Sequence, residues 1–219
     1  MGKKIEKEDV NEYFGYCTNI VNQNQSYLAQ PQTPLGVRET ITVCLLSVST
    51  EHCLSSLELI AKNHFSSAFA LLRPAVETSL RAYWLNFYFK EKTHEEIAQH
   101  IDRNQWPKLN RMMGELDASD LNQFLFLKGK MYATLLGWVH GDYEQLHLRL
   151  SDNEIGAPPS NEKIFLLIFY ITNIYLNSMK LLFKTLKSDL EVTQLLATRL
   201  NLIRVTESYM PIFFNREKK

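Results

Sequence analysis

Cysteine is scarce in this sequence: Cys17, Cys44 and Cys53 form no CxxC pair to join a histidine pair in a zinc-ligand set. That excludes a disulfide framework and a structural zinc module, and it reads as three buried thiols in a reducing compartment. An excess of charge of one sign is missing too, since 24 Lys and Arg balance 24 Asp and Glu. No global field then draws the chain to nucleic acid or anionic lipid, and any such binding falls to a local basic cleft. There is no Walker loop, GxGxxG, HExxH or nucleophile elbow, so the common nucleotide, metalloprotease and hydrolase signatures are excluded. The opening MGKKIEKEDV lacks an apolar signal core, and Glu6 stands where myristoylation needs Ser or Thr, so a cytoplasmic location is expected. An uncharged run at Ile164–Met179 is too short for the roughly 20 apolar residues of a membrane span. It also holds Thr172, Asn173, Asn177 and Ser178, and it reads as a helix buried by its neighbours, with no membrane involved.

What is present is helical periodicity. The chain has 219 residues, 45% apolar and 22% charged, enough for one globular domain over residues 1–219. Val10, Tyr13, Phe14, Cys17, Ile20 and Val21 recur at three- and four-residue steps up to a break at Pro31–Gly36. Helices are expected over about 38–63 and 65–92, the second containing Pro74, which removes one backbone hydrogen bond and should bend the helix near Ala70. Thr93 with Glu96 forms a capping box. A further helix is expected from Asp117 or Ser119 to His140–Gly141, where Gly takes the position past a helix end. Residues 141–160 carry no helical period and form a long irregular loop, with Leu146, Leu148 and Leu150 alternating as in an extended piece. Two more helices follow, from Ser160 or Asn161 to about Leu186 and from Ser188–Asp189 to about Ser208. The fold class is all-α, a helical bundle of six to eight helices.

Two places stand out chemically. Arg73, Glu77 and Arg81 are spaced i, i+4, i+8 and share one face of an apolar helix, so the carboxylate is satisfied by two guanidiniums. Exposed, this is an ordinary ion-pair ladder; buried, it is a specificity element or an anion site. His140 ends its helix, where the dipole favours imidazolium, and it is either a terminator bonding a free carbonyl or an acid–base group beside the loop. With Gln145 and Arg149, these residues are expected to converge on one polar pocket. Glu95 and Glu96 beside His94 and His100 read as a solvated face, so no metal and no cofactor is expected.

The segments HCLSSLELIAKNHFSSAFALLRPAVETSLRAYWL (52–85) and WVHGDYEQLHLRLSDNEIGAPPSNEKI (138–164) resemble a bacterial family of unknown function. That family pairs an LLRPxxExxxRxxWL helix with a later THxGxxQ turn. The resemblance places Ser67, Arg73, Pro74, Glu77, Arg81, Trp84, His140, Gly141, Gln145 and Arg149 on motif positions, with Val139 where many members have Thr. More distantly, the bundle with an HG turn is similar to the HEPN superfamily. That likeness implies a homodimer and a module binding a nucleotide, RNA or a partner protein, in phage defence or toxin–antitoxin systems. One alternative it carries is a ribonuclease using His140 with a nearby arginine. The superfamily's Arg-x4–6-His motif is missing, because Ala133, Thr134 and Leu135 hold the positions where that arginine would stand. Another alternative is a purely structural dimer.

Overall fold

The structure, a computed structural model, describes residues 4–25, 35–103, 106–116, 150–151, 154–155, 158–187 and 189–210. The helix expected to end at His140, the loop 141–149, and with them His140, Gln145 and Arg149, lie outside the described residues.

The described chain is an all-α bundle. Its seven helices are α1 (Lys7–Gln25), α2 (Val37–Ala61), α3 (Phe65–Tyr88), α4 (His94–Asp102), α5 (Leu109–Glu115), α6 (Asn161–Thr185) and α7 (Asp189–Tyr209). Within the stretch expected to be an irregular loop, Leu150–Ser151 pairs antiparallel with Glu154–Ile155. The periodicity did not announce α5, which is only two turns long and follows directly on Trp106–Pro107.

The centre of the bundle is α6, buried nearly along its whole length, the polar side chains of Thr172, Asn173, Asn177 and Ser178 included. α1, α2, α3 and α7 pack around it. On the α1 side Tyr13 stacks on Phe165 with centroids 3.9 Å apart, and its hydroxyl shares a 2.7 Å hydrogen bond with Thr206 of α7. Two helices, α2 and α6, are long and apolar enough to cross a membrane by length and composition. The apolar window of α6 is 89% buried inside the protein, as befits a core helix, whereas that of α2 is 39% buried.

The closest packing joins α2 and α3, which run antiparallel through a tight turn. Helix α2 ends on Asn63 in the left-handed region (φ 60°), with Asn63 N–H donating to Ile60 O and His64 N–H to Leu59 O. Two carbonyls at the helix end are thereby satisfied, with Asn in the place glycine usually takes. Thr42, Ser49 and Ser56 recur every seven residues on α2, Ala68, Ala75 and Ala82 do so on α3, and all six are buried. Small side chains at this spacing let the two backbones approach, and the hydroxyls remain satisfied. Ser49 donates to Ala75 O at 2.8 Å, and Asn86 donates to Thr42 at 2.7 Å. Ser178 of α6 joins the seam by donating to Ser79 at 3.0 Å. The serines that lower helix propensity in α2 are thus the residues that fit it against α3.

Helix α3 stays continuous across Pro74. At α4, Thr93 and Glu96 form the capping box reciprocally. Cys17 and Cys53 are buried, with burial pushing Cys17 up to about 12 and raising Cys53 as well. Cys44 departs from the expectation: it lies on the outer face of α2 and is exposed.

Candidate functional site

The ladder on α3 is formed. Arg73 Nε lies 2.7 Å from Glu77 Oε1, and Arg81 Nη2 lies 4.0 Å from Glu77 Oε2. The side chains are 24%, 24% and 34% exposed for Arg73, Glu77 and Arg81, so the triad is half-buried, between the two cases its spacing allows. His140, Gln145 and Arg149, the other members of the expected pocket, lie outside the described residues.

One turn on, Arg81 leads into an aromatic box. Its guanidinium carbon sits 5.6 Å from the Trp106 ring centroid. Trp84 stacks on Tyr88 at 4.7 Å and meets Phe89, His100 and Trp106 at 5.5, 5.5 and 6.1 Å. The Trp84 indole donates to Glu115 at 2.6 Å, and Arg111 holds the same carboxylate at 2.7 Å, tying α5 to α3. These bonds, Arg111 first, keep Glu115 below the ordinary carboxylate range. Arg81 Nε and His100 Nε2 are shielded from solvent and have no hydrogen-bond partner among the described residues. Burial lowers the His100 imidazole pKa. The box is filled by its own rings and holds α4 and α5 on the bundle.

Open space lies elsewhere. The start of α2, the end of α3 and the end of α6 meet at one end of the bundle, around a cleft of about 810 Å³. That is within the size range of small-molecule sites. Among the described residues Arg38, Lys90, Lys180, Lys184 and Lys187 line it, against a single carboxylate, Glu39. Leu35, Leu181 and Leu186 supply apolar wall, and Phe87 stands at the rim with 44% of its surface exposed.

The helix ends explain the placement. Lysines near the C-termini of α3 and α6 meet the negative ends of those helices, which favours cations there. Lys187 takes the left-handed conformation (φ 60°) that closes α6, with its N–H on Lys184 O and Leu186 N–H on Leu182 O. Arg38 donates to Lys90 O at 3.1 Å and to Glu39 at 2.7 Å. Glu39 also folds back over Gly36, where a Cβ would meet its Oε2 at 2.6 Å, so only glycine admits the carboxylate so close. Burial pushes the Glu39 carboxyl upward. Hydrogen bonds from Arg38 and from its own backbone N–H, with the Arg38 and His94 charges, outweigh that and hold it below the ordinary range.

Sequence reasoning missed this cluster; Lys180 and Lys184, spaced i, i+4 on α6, are the local signal for it. Their meeting with Arg38 and Lys90 depends on the antiparallel run of α2 and α3, which no local pattern encodes. Among the described residues no group of three or more His, Cys, Asp or Glu is placed to hold a metal.

A family of unknown function, DUF6988, matches residues 46–197, more than half of the sequence. The chain belongs to that family. Its matched region takes in the Arg73–Glu77–Arg81 ladder and the cleft lysines Lys90, Lys180, Lys184 and Lys187, while Gly36, Arg38 and Glu39 precede it. No curated protein and no solved structure matches the chain significantly.

Proposed function

We propose that this protein is a cytoplasmic, HEPN-like helical module that binds a phosphorylated ligand, a nucleotide or RNA, in the cationic cleft without cutting it. The observation that carries this is the charge of the cleft: among the described lining residues five cations and one carboxylate face about 810 Å³ of open space, in a chain of zero net charge. Like charges gathered at one opening repel each other, and an entering polyanion relieves that repulsion while gaining charge-assisted hydrogen bonds. The ladder on α3 is less suited to the task, since Glu77 already neutralises its arginines.

Binding rather than cleavage is favoured by the sequence before His140, where Ala133, Thr134 and Leu135 hold the positions of the superfamily's catalytic arginine. Incubation with mixed RNA separates the two: the proposal expects retention on the protein with intact RNA. Cleavage by the wild type that disappears in His140→Ala would make the protein a ribonuclease instead.

Self-association belongs to the same proposal. Leu196 and Leu200, one turn apart on α7, are 39% and 56% exposed, and Val48 on α2 is exposed as well. These apolar positions favour a two-fold pairing of chains. Light scattering should give about twice the 25.5 kDa chain mass, and a monomer at tens of micromolar would remove the dimer from the account.

A further inference from the structure

We infer that the cleft recognises a base as well as phosphates, with Phe87 as the platform on which an unpaired base stacks. This rests on the phosphate-binding reading of the same cleft and adds which part of the ligand is read and by which residue.

Phe87 is the feature the charge of the cleft does not explain. It is a large apolar ring, 44% exposed, in the lining of a cleft that also holds four lysines and Arg38. The adjacent Tyr88 is exposed to a similar degree, but its ring is stacked on Trp84 at an interplanar angle of 12° and is thereby used in the fold. Phe87 stacks on no aromatic ring among the described residues, and the exposed part of it is what a ring from outside can meet. Lys90 follows it by three positions and lines the same cleft, so the cleft offers both a cation and an aromatic ring. That pairing, a basic track for the backbone and a π-face for the base, is how single-stranded nucleic acid and nucleotides are held without base-specific hydrogen bonds.

The ligand class follows from this geometry. Inorganic polyphosphate meets the cations but has nothing to stack. Duplex RNA presents its phosphates while its bases stay stacked on each other. A nucleoside phosphate with a free base uses both halves of the cleft, whether it arrives as a free nucleotide or as the end of a single strand.

The test is a set of binding titrations with tripolyphosphate, ATP, a single-stranded RNA octamer and its duplex, on wild type, Phe87→Ala and Phe87→Trp. Phe87→Ala should weaken ATP, the octamer or both by about tenfold or more, the scale of one stacked base, and leave tripolyphosphate and duplex within about twofold. Phe87→Trp, which keeps a π-face, should retain the wild-type affinity and so separates stacking from damage to the fold. ATP without the octamer identifies a free nucleotide as the source, and octamer binding identifies a single strand. Loss of all four ligands alike in Phe87→Ala, or of none, overturns the stacking role while the cationic cleft stands. A wild type that binds none of them, tripolyphosphate included, overturns the phosphate-binding reading itself.

Discussion

Arg38 Nη2 and Glu39 Oε1 lie 2.7 Å apart in the lining of the cationic cleft, so the one carboxylate among its described lining residues is held by one of the cleft's own cations. Glu39 therefore occupies part of the space and charge that an incoming phosphate needs. A ligand either displaces it from Arg38 or binds against its repulsion. Glu39→Gln removes the charge at nearly constant shape and should raise tripolyphosphate affinity roughly three- to tenfold, the size of one partly screened charge at short range. An affinity lowered by the substitution would mean that Glu39 orders the cleft rather than competing for it.

Lys187 combines an unfavourable backbone conformation with a place in the cleft. A left-handed non-glycine residue costs on the order of 1 kcal/mol, and glycine is the residue that helix ends prefer there. Lys187→Gly should raise thermal stability by about that amount while weakening polyanion binding. The two readouts moving in opposite directions is the expected outcome, measured by thermal denaturation and by titration on the same variant. A gain in stability with unchanged affinity would take Lys187 out of the site.

The α2–α3 seam has no room to spare. Ala75 is buried beneath Ser49, whose hydroxyl donates to the Ala75 carbonyl. Ala75→Leu forces extra methylenes between two closely packed helices and should cost about 1–3 kcal/mol or more, through overpacking and loss of that hydrogen bond. Chemical denaturation measures it. The ladder should be more forgiving: Glu77→Ala removes a half-exposed ion pair and should cost about 1 kcal/mol, well short of what a fully buried pair would lose.

His100 makes stability depend on pH. Trp84, Phe89 and Trp106 enclose it, with Arg81 over Trp106 from α3 and Glu115 bonded to Trp84 from α5. Burial lowers its pKa in the folded protein, so the unfolded chain takes up the proton first as pH falls below about 6.5. The contribution of neutral His100 is complete above that pH and is lost on acidification. His100→Phe should flatten the decline in melting temperature between pH 7 and pH 5. An unchanged slope would assign the decline to other groups.

The bundle itself was legible because its signals are local. The apolar run of α6, the capping box at Thr93, the Gly and Pro breaks, and the three- and four-residue stripes each report one helix from its own residues. The ladder was legible for the same reason, since i, i+4 neighbours lie on one helix. Whether Arg73, Glu77 and Arg81 are buried was not, because that depends on what packs over α3. Arg38, Lys90 and the α6 lysines lie far apart in sequence and meet only because three helix ends fall together. Read alone, Thr42, Ser49 and Ser56 are only weak helix formers on α2. Their complement, Ala68, Ala75 and Ala82, gives them meaning only once α2 and α3 are laid side by side.

The central claim is that the cleft between the ends of α2, α3 and α6 binds a polyanion. The most direct measurement is a calorimetric titration of tripolyphosphate into wild type and into Lys90→Glu/Lys184→Glu, two exposed substitutions that leave the core untouched. The account predicts saturable binding to the wild type that weakens as salt rises, and a loss of at least tenfold in the double variant. Absence of binding by the wild type at low salt, or equal affinity in both proteins, would contradict it.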